Sequence, residues 1–274
     1  MQNQKLKIIF IHGFGVSKFS RGIFTDIEKY SPPKSGDELT KYIYTDLNLV
    51  ENIDGKENIT IKTPQEQAKI IEEVIENLKQ KEIEEQKINS NLKYKYIFIC
   101  HSLGCVIATL LNKNKIPNNS KFIFLAPPTA NDLEKTFDRY RINPINILDL
   151  NGISKLHRRD GSITFIPKEF WQARENLDYV ESYRRLAKYL EQTTPSLLKQ
   201  SHPFVNEGES ENRTENKNKI SIIIAKQDEV IENNEATIND LQTFAQVVEI
   251  NSNHNFDNER ENLAEKIKEI ILEN

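Results

Sequence analysis

One stretch constrains this chain more than any other: Tyr94-Lys95-Tyr96-Ile97-Phe98-Ile99-Cys100-His101-Ser102-Leu103-Gly104-Cys105. An apolar run rich in β-branched and aromatic residues ends abruptly among small ones. Val106, Ile107, Leu110 and Leu111 then recur at helical spacing. The expectation is a buried strand, a sharp corner and a helix, with Ser102 at the corner. Such a corner presses two backbones together, so the positions two before and two after the serine must be small. They are Cys100 and Gly104. The usual pattern is G-x-S-x-G; Cys100 departs from it but is small. Ser102 then reads either as an exposed nucleophile or as the cap of the helix it precedes.

The same alternation of strand and helix runs through most of the chain. Leu6 to Ile11 reads as a buried strand ending in His12-Gly13-Phe14-Gly15, where glycines let a backbone approach a ligand closely. Ser20 to Tyr30 has helical spacing, Tyr42 to Leu47 reads as a strand, and a polar loop continues to about Lys62. Thr63-Pro64-Gln65-Glu66 is a helix start: Thr63 as N-cap, Pro64 in the first turn and Glu66 closing a capping box. Ala68, Ile71, Val74, Ile75 and Leu78 form that helix's apolar face. Lys121 to Leu125 is the strand after the Ser102 helix. Further on, Ile220 to Ala225 and Gln246 to Ile250 are strands, with helices from about Asn233 to Phe244 and Asn258 to Leu272. Alternation of this kind predicts a mainly parallel sheet of about six strands with helices on both faces.

Residues 129–217 break the alternation. Ile153 to Arg159 and Ser162 to Ile166 flank Asp160-Gly161, a turn dipeptide, and predict a tight hairpin. Glu169 to Gln192 carries one long helical pattern, and Pro203 to Asn218 reads as a polar linker. The expected organisation is a core of residues 1–128 and 218–274 with a cap of residues 129–217, a hairpin plus helices.

Three polar residues fall just past strand ends, in the order Ser102, Asp228, His254. In a parallel sheet those ends share one edge, where ligands bind. At this point the chain resembles the α/β-hydrolase family, over most of its length. It looks most like small bacterial serine carboxylesterases and lysophospholipase-like hydrolases, without the first two strands of the full family sheet. The resemblance implies an α/β-hydrolase fold and a triad: Ser102 as nucleophile, His254 as base and then acid, Asp228 as the residue that orients the histidine. Asp132, past the Leu125 strand, is the rival acid. The implied oxyanion hole uses the backbone N–H groups of Leu103 and Phe14. His12 would order the loop rather than react. His101, Phe170 and Trp171 are candidates for the substrate pocket, against the alternative that they only pack. Arg158, Arg159, Arg184 and Arg185 are either contacts for an anionic headgroup or thioester carrier, or plain surface residues.

The expected activity is hydrolysis of carboxylic esters through an acyl-enzyme, with lactones, including acyl-homoserine lactones, accessible by the same route. A thioesterase, lysophospholipase or peptidase shares the triad. The rival of another class is a non-catalytic relative that uses a capped pocket only for binding. Serine rather than aspartate at the corner sets the chain apart from haloalkane dehalogenases and epoxide hydrolases of this fold. No metal-ligand spacing occurs, and the chemistry needs no cofactor.

Composition bounds the partners. The 274 residues carry a net charge of −4, and the pI is about 5.9, so no basic field argues for nucleic acid. The mean hydropathy of −0.61 reflects a surface of Lys, Glu and Asn. The two cysteines, Cys100 and Cys105, are expected to point into different layers and to stay reduced. With Ile8 to Ile11 too short for a signal or a membrane span, a cytoplasmic protein, monomer or homodimer, acting on a small-molecule ester is expected.

Overall fold

The computed structural model describes residues 4–30, 40–193 and 219–273. The expected linker from Pro203 to Asn218 lies outside them. Along the chain run β1 (Gln4–Ile11), a 3-10 turn (Ser20–Gly22), α1 (Ile23–Tyr30), β2 (Thr40–Tyr44), β3 (Leu49–Ile53) and β4 (Lys56–Thr60). Then come α2 (Pro64–Ile88), β5 (Lys93–His101), α3 (Leu103–Thr109), β6 (Ser120–Leu125), α4 (Leu133–Arg141), β7 (Ile153–His157) and β8 (Ile163–Pro167). The remainder is α5 (Lys168–Glu175), α6 (Tyr179–Thr193), β9 (Ile220–Ala225), α7 (Glu235–Gln242), β10 (Gln246–Ile250) and α8 (Arg260–Leu272).

Six strands form one sheet in the order β10-β9-β6-β5-β1-β2, and every neighbouring pair is parallel. Successive side chains of a strand face opposite layers, so the central strands must be apolar at every position. Ile9, Ile11, Phe98 and Cys100 face the layer packed with α2, α3 and α6. Ile8, Phe10, Ile97 and Ile99 face the layer packed with α1 and α8. The capping box at Thr63 is formed: the Glu66 N–H donates to Thr63 Oγ1 at 3.3 Å, and the Thr63 N–H donates to Glu66 Oε2 at 2.8 Å. The chain leaves β1 toward β2 on one side and continues through β5 on the other. The loops after β1 and β5 therefore diverge, opening a crevice at their carboxyl ends.

The second sheet has the order β3-β4-β8-β7. Its β3–β4 hairpin occupies the segment expected as a polar loop. The turn is Asp54-Gly55, both at positive φ (53° and 75°), the requirement of a tight hairpin turn. The strands beside it are largely exposed, with Leu49 and Ile53 about half accessible, which is why hydrophobic patterning does not reveal them. β4 runs parallel to β8 through Ile59↔Thr164 and Thr60↔Phe165. That sheet thus joins the hairpin after β2 to the β7–β8 hairpin of residues 129–217. The β7–β8 turn is wider than a two-residue turn: pairing closes at His157↔Ile163.

Other boundaries shift for local reasons. The helix expected from Ser20 starts at Ile23, because Ser20 and Arg21 turn left-handed (φ 46° and 56°). The strand expected over Tyr42 to Leu47 is Thr40–Tyr44. The long helical pattern over Glu169 to Gln192 is α5 and α6, broken at Asn176, whose backbone leaves the helix. α4, unexpected, is capped by Asp132, which accepts from the Lys135 N–H at 2.9 Å. Cys100 and Cys105 share one layer rather than two, since α3 packs on the face to which Cys100 points. Both are free thiols, and burial pushes both well up.

Candidate active site

Ser102 sits between β5 and α3 with φ 53° and ψ −126°, a conformation that for a non-glycine residue costs about 1–3 kcal/mol. Its N–H donates to the Leu125 carbonyl at 2.9 Å, anchoring the corner on the neighbouring strand. The small residue at position 104 has a plain cause. A Cβ there would lie 2.3 Å from the Ile11 carbonyl oxygen and 2.7 Å from that of His12. The Ser102 hydroxyl oxygen is 2.9 Å from His254 Nε2. The helix-cap alternative is not realised, because the Ser102 side chain makes no capping bond to α3.

His254 follows β10, and Asp228 follows β9. His254 Nδ1 lies 2.8 Å from Asp228 Oδ2. A carboxylate oxygen accepts, so Nδ1 carries the hydrogen and Nε2 is left to accept from the serine. The Asp228 side chain is 1% exposed. Its second oxygen accepts the N–H groups of Val230 and Ile231, each at 2.8 Å. The turn thus locks the carboxylate in place. Asp132, the rival acid, lines the same cavity but spends its carboxylate on capping α4.

The loop after β1 closes on this corner. A Cβ at Gly13 would sit 3.0 Å from Ser102 Cβ, so the loop backbone lies against the nucleophile candidate. Leu103 opens α3, and an N–H in a helix's first turn has no acceptor within the helix. His12 holds the loop: Nδ1 donates to the Gly13 carbonyl at 3.0 Å, and Nε2 accepts the Leu47 N–H at 3.0 Å. Burial lowers its pKa to about 4, so it stays neutral.

The structure gives His101, a pocket candidate in the sequence, a bracing position as well, and it adds Ser20 and Glu229, which sequence reasoning missed. His101 is buried between Ser20 Oγ (2.9 Å) and the His254 carbonyl (3.1 Å). Glu229 accepts the His254 N–H at 3.1 Å. Ser20 was hidden inside an apparent helix; only the glycine at position 22 marks the turn.

A cavity of about 490 Å³ opens over Ser102, His101 and His254. Phe170 and Trp171, expected in its wall, do not line it. Both are buried (0% and 2% exposed) and pack behind Phe14, with ring centroids 5.3 and 6.2 Å from it. Their side chains face inward from α5 because Phe137 of α4 stacks edge-on against Trp171 at 5.1 Å. Arg184 and Arg185 are tied to Glu181, and Arg184 also to Asp240. Arg158 instead reaches the Gly15 carbonyl. Among the described residues, no group of three or more His, Cys, Asp or Glu is placed to hold a metal ion, and no helix is long and apolar enough to cross a membrane.

Residues 169–271 match the model of an uncharacterised protein family, UPF0227. No curated relative matches the chain. Among solved structures, Est1E from Butyrivibrio proteoclasticus is similar with a TM-score of 0.56 and 17% identity, over 100% of this chain and 89% of that one. A monoacylglycerol lipase of Paleococcus ferrophilus gives 0.51 and 13%, over 96% of this chain and 94% of that one. The peroxisomal alpha-beta-hydrolase Lpx1 of Saccharomyces cerevisiae gives 0.51 and 13%, over 99% and 78%. The sheet order, the corner at Ser102 and these likenesses agree: the chain has the α/β-hydrolase fold.

Proposed function

We propose that this protein is a serine hydrolase of carboxylic esters. The observation that carries the reading is the unbroken chain of contacts from Ser102 Oγ to His254 (2.9 Å) to Asp228 (2.8 Å), set at the floor of an open cavity. In the proposed reaction, His254 Nε2 takes the Ser102 proton as Oγ attacks the ester carbonyl. The tetrahedral oxyanion is held by the N–H groups of Phe14 and Leu103. The imidazolium, stabilised by Asp228, then protonates the departing alcohol, and the acyl group stays on Ser102. Water repeats the sequence in reverse roles and releases the acid. Lactones enter by the same steps, with the alcohol remaining tethered to the acyl group.

Residues 129–193 are proposed as a cap over this site, completed by the β3–β4 hairpin through its pairing with β8. The likeness to a protein described as a monoacylglycerol lipase supports esters as the substrate class. The test is hydrolysis of p-nitrophenyl butyrate by the wild type and its loss in Ser102→Ala. Covalent labelling of Ser102 by a fluorophosphonate gives a second readout. A wild type inert toward esters, thioesters and lactones, and unlabelled, would leave the chain a non-catalytic binder.

A further inference from the structure

One wall of the cavity is built from arginines that lack a carboxylate partner. Arg21, Arg139 and Arg174 line it, together with Tyr140. The Tyr140 ring stacks on Phe14 with centroids 6.0 Å apart, so this wall adjoins the loop that lies against Ser102. The Tyr140 phenol is half-buried and feels the charges of Arg174, Arg139, Arg158 and Arg21.

The hydrogen bonds of these arginines go to neutral acceptors. Arg174, only 8% exposed, donates to Tyr179 Oη at 3.0 Å and Asn131 Oδ1 at 3.3 Å, and lies over the rings of Phe170 and Trp171. Arg139 donates to the Val230 carbonyl at 2.7 Å. Arg158 donates to Thr164 Oγ1 at 2.7 Å and to the Gly15 carbonyl. Arg21 has no hydrogen-bond or ion-pair partner among the described residues. It is exposed, lines the cavity, and has a left-handed backbone (φ 56°).

The cavity's acids are engaged elsewhere. Asp132 caps α4, Glu229 accepts the His254 N–H, and Glu232 pairs with Lys135 at 2.8 Å. Of these guanidiniums Arg174 is buried with no carboxylate in contact, which is unfavourable unless an anion neutralises it. Planar guanidinium forks match carboxylate and phosphate oxygens.

We propose that the cavity takes an ester bearing a second, anionic group, a carboxylate or phosphate, held by Arg21, Arg174 and the Tyr140 hydroxyl while the ester carbonyl lies at Ser102. This rests on the serine-hydrolase reading. The stack of Tyr140 on Phe14 places the anion beside the loop that carries Phe14.

The test compares p-nitrophenyl butyrate with the p-nitrophenyl monoester of glutaric acid, whose acyl chain ends in a carboxylate. The wild-type ratio of kcat/KM, charged over neutral, is expected to be about tenfold or more. Arg21→Gln and Arg174→Gln should each cut that ratio by about tenfold. Arg21 is exposed, so its variant keeps the test valid if the Arg174 variant fails to fold. Inorganic phosphate, added during butyrate hydrolysis, separates the two anions. Competitive inhibition that weakens in Arg21→Gln extends the site to phosphate, and its absence beside a charged-ester preference assigns the site to carboxylate. A ratio at or below one without phosphate inhibition, or a preference that neither variant changes, overturns the proposal. Butyrate turnover and fluorophosphonate labelling of Ser102 would then still leave the hydrolase reading standing; loss of both would overturn that reading instead.

Discussion

The Nε2–H of His101 donates to the backbone carbonyl of His254 across 3.1 Å. A carbonyl only accepts, so Nδ1 of His101 is the acceptor, and it takes the Ser20 hydroxyl at 2.9 Å. Burial, and then the neighbouring His254, hold the His101 ring well below the usual histidine range. It is a neutral brace for the loop that carries His254. His101→Ala should lower kcat about ten- to a hundredfold with little change in KM. His101→Gln, which keeps one donor and one acceptor, should recover part of the loss. An alanine variant with wild-type kcat would remove His101 from any positioning role.

Asp228 and Asp132 can be separated by the same substitution. In Asp228→Asn the amide can present a donor to His254 Nδ1 and favour the wrong tautomer, so kcat should fall about a thousandfold or more. Asp132→Asn keeps a good N-cap for α4, so both Tm and kcat should stay near wild type. Steady-state kinetics on p-nitrophenyl butyrate decide it; a larger loss at position 132 would reverse the assignment of the acid.

Trp171 supports Phe14 from behind rather than meeting substrate. Its indole N–H donates to Ser154 Oγ at 3.3 Å, and the ring packs edge-on against Phe137 and Phe170. Trp171→Ala should cost about 3–5 kcal/mol in stability, read from denaturant midpoints. The order of preference among acyl chain lengths should not change. A changed order at wild-type stability would put Trp171 back in the pocket wall.

The core was legible because a parallel sheet covered on both faces demands apolar runs, and β1, β5, β6 and β9 supply them. Ser102, Asp228 and His254 were legible because each stands within a few residues of a strand's end. What failed was written in weaker signals. The exposed β3–β4 hairpin shows itself in sequence only through Asp54-Gly55. Phe170 and Trp171 have the residue types of a pocket wall, yet their direction depends on how α5 docks against α4 and Phe14, which no local pattern encodes. Arg21, Tyr140 and Arg174 come from separate segments, and only the fold brings them to one cavity.

His12 and His101 make stability depend on acid. Burial holds His12 at about 4 against 6.5 for an ordinary histidine, and shifts His101 the same way. The unfolded chain therefore binds these protons first. Stability from the neutral rings is complete above about pH 6.5 and is lost as the pH falls toward 4. For His12 alone the loss is about 3 kcal/mol. Urea unfolding at pH 7 and pH 4.5 should show this drop. His12→Asn, less stable at neutral pH, should show a smaller one, and equal slopes in the two proteins would remove His12 as a source.

Gly104 marks where the fold and the proposed chemistry meet. The added Cβ of Gly104→Ala would press on the Ile11 and His12 carbonyl oxygens at 2.3 and 2.7 Å. Both belong to backbone, and Ile11 is held in register against Cys100, so the β1 end or the α3 start must move. Overpacking of this kind costs about 1–3 kcal/mol. The segment displaced leads directly into the Gly13-Phe14 turn, so the folded fraction should also lose kcat more than it gains KM. Gly55→Ala is the comparison. Nothing lies within 4 Å of its new Cβ, but φ is +75°, so it should lose about 1 kcal/mol and keep its kinetics. Denaturant midpoints and kcat for both variants give the answer. If Gly104→Ala behaves like Gly55→Ala, the close approach of β1 to α3 does not set the geometry at Ser102.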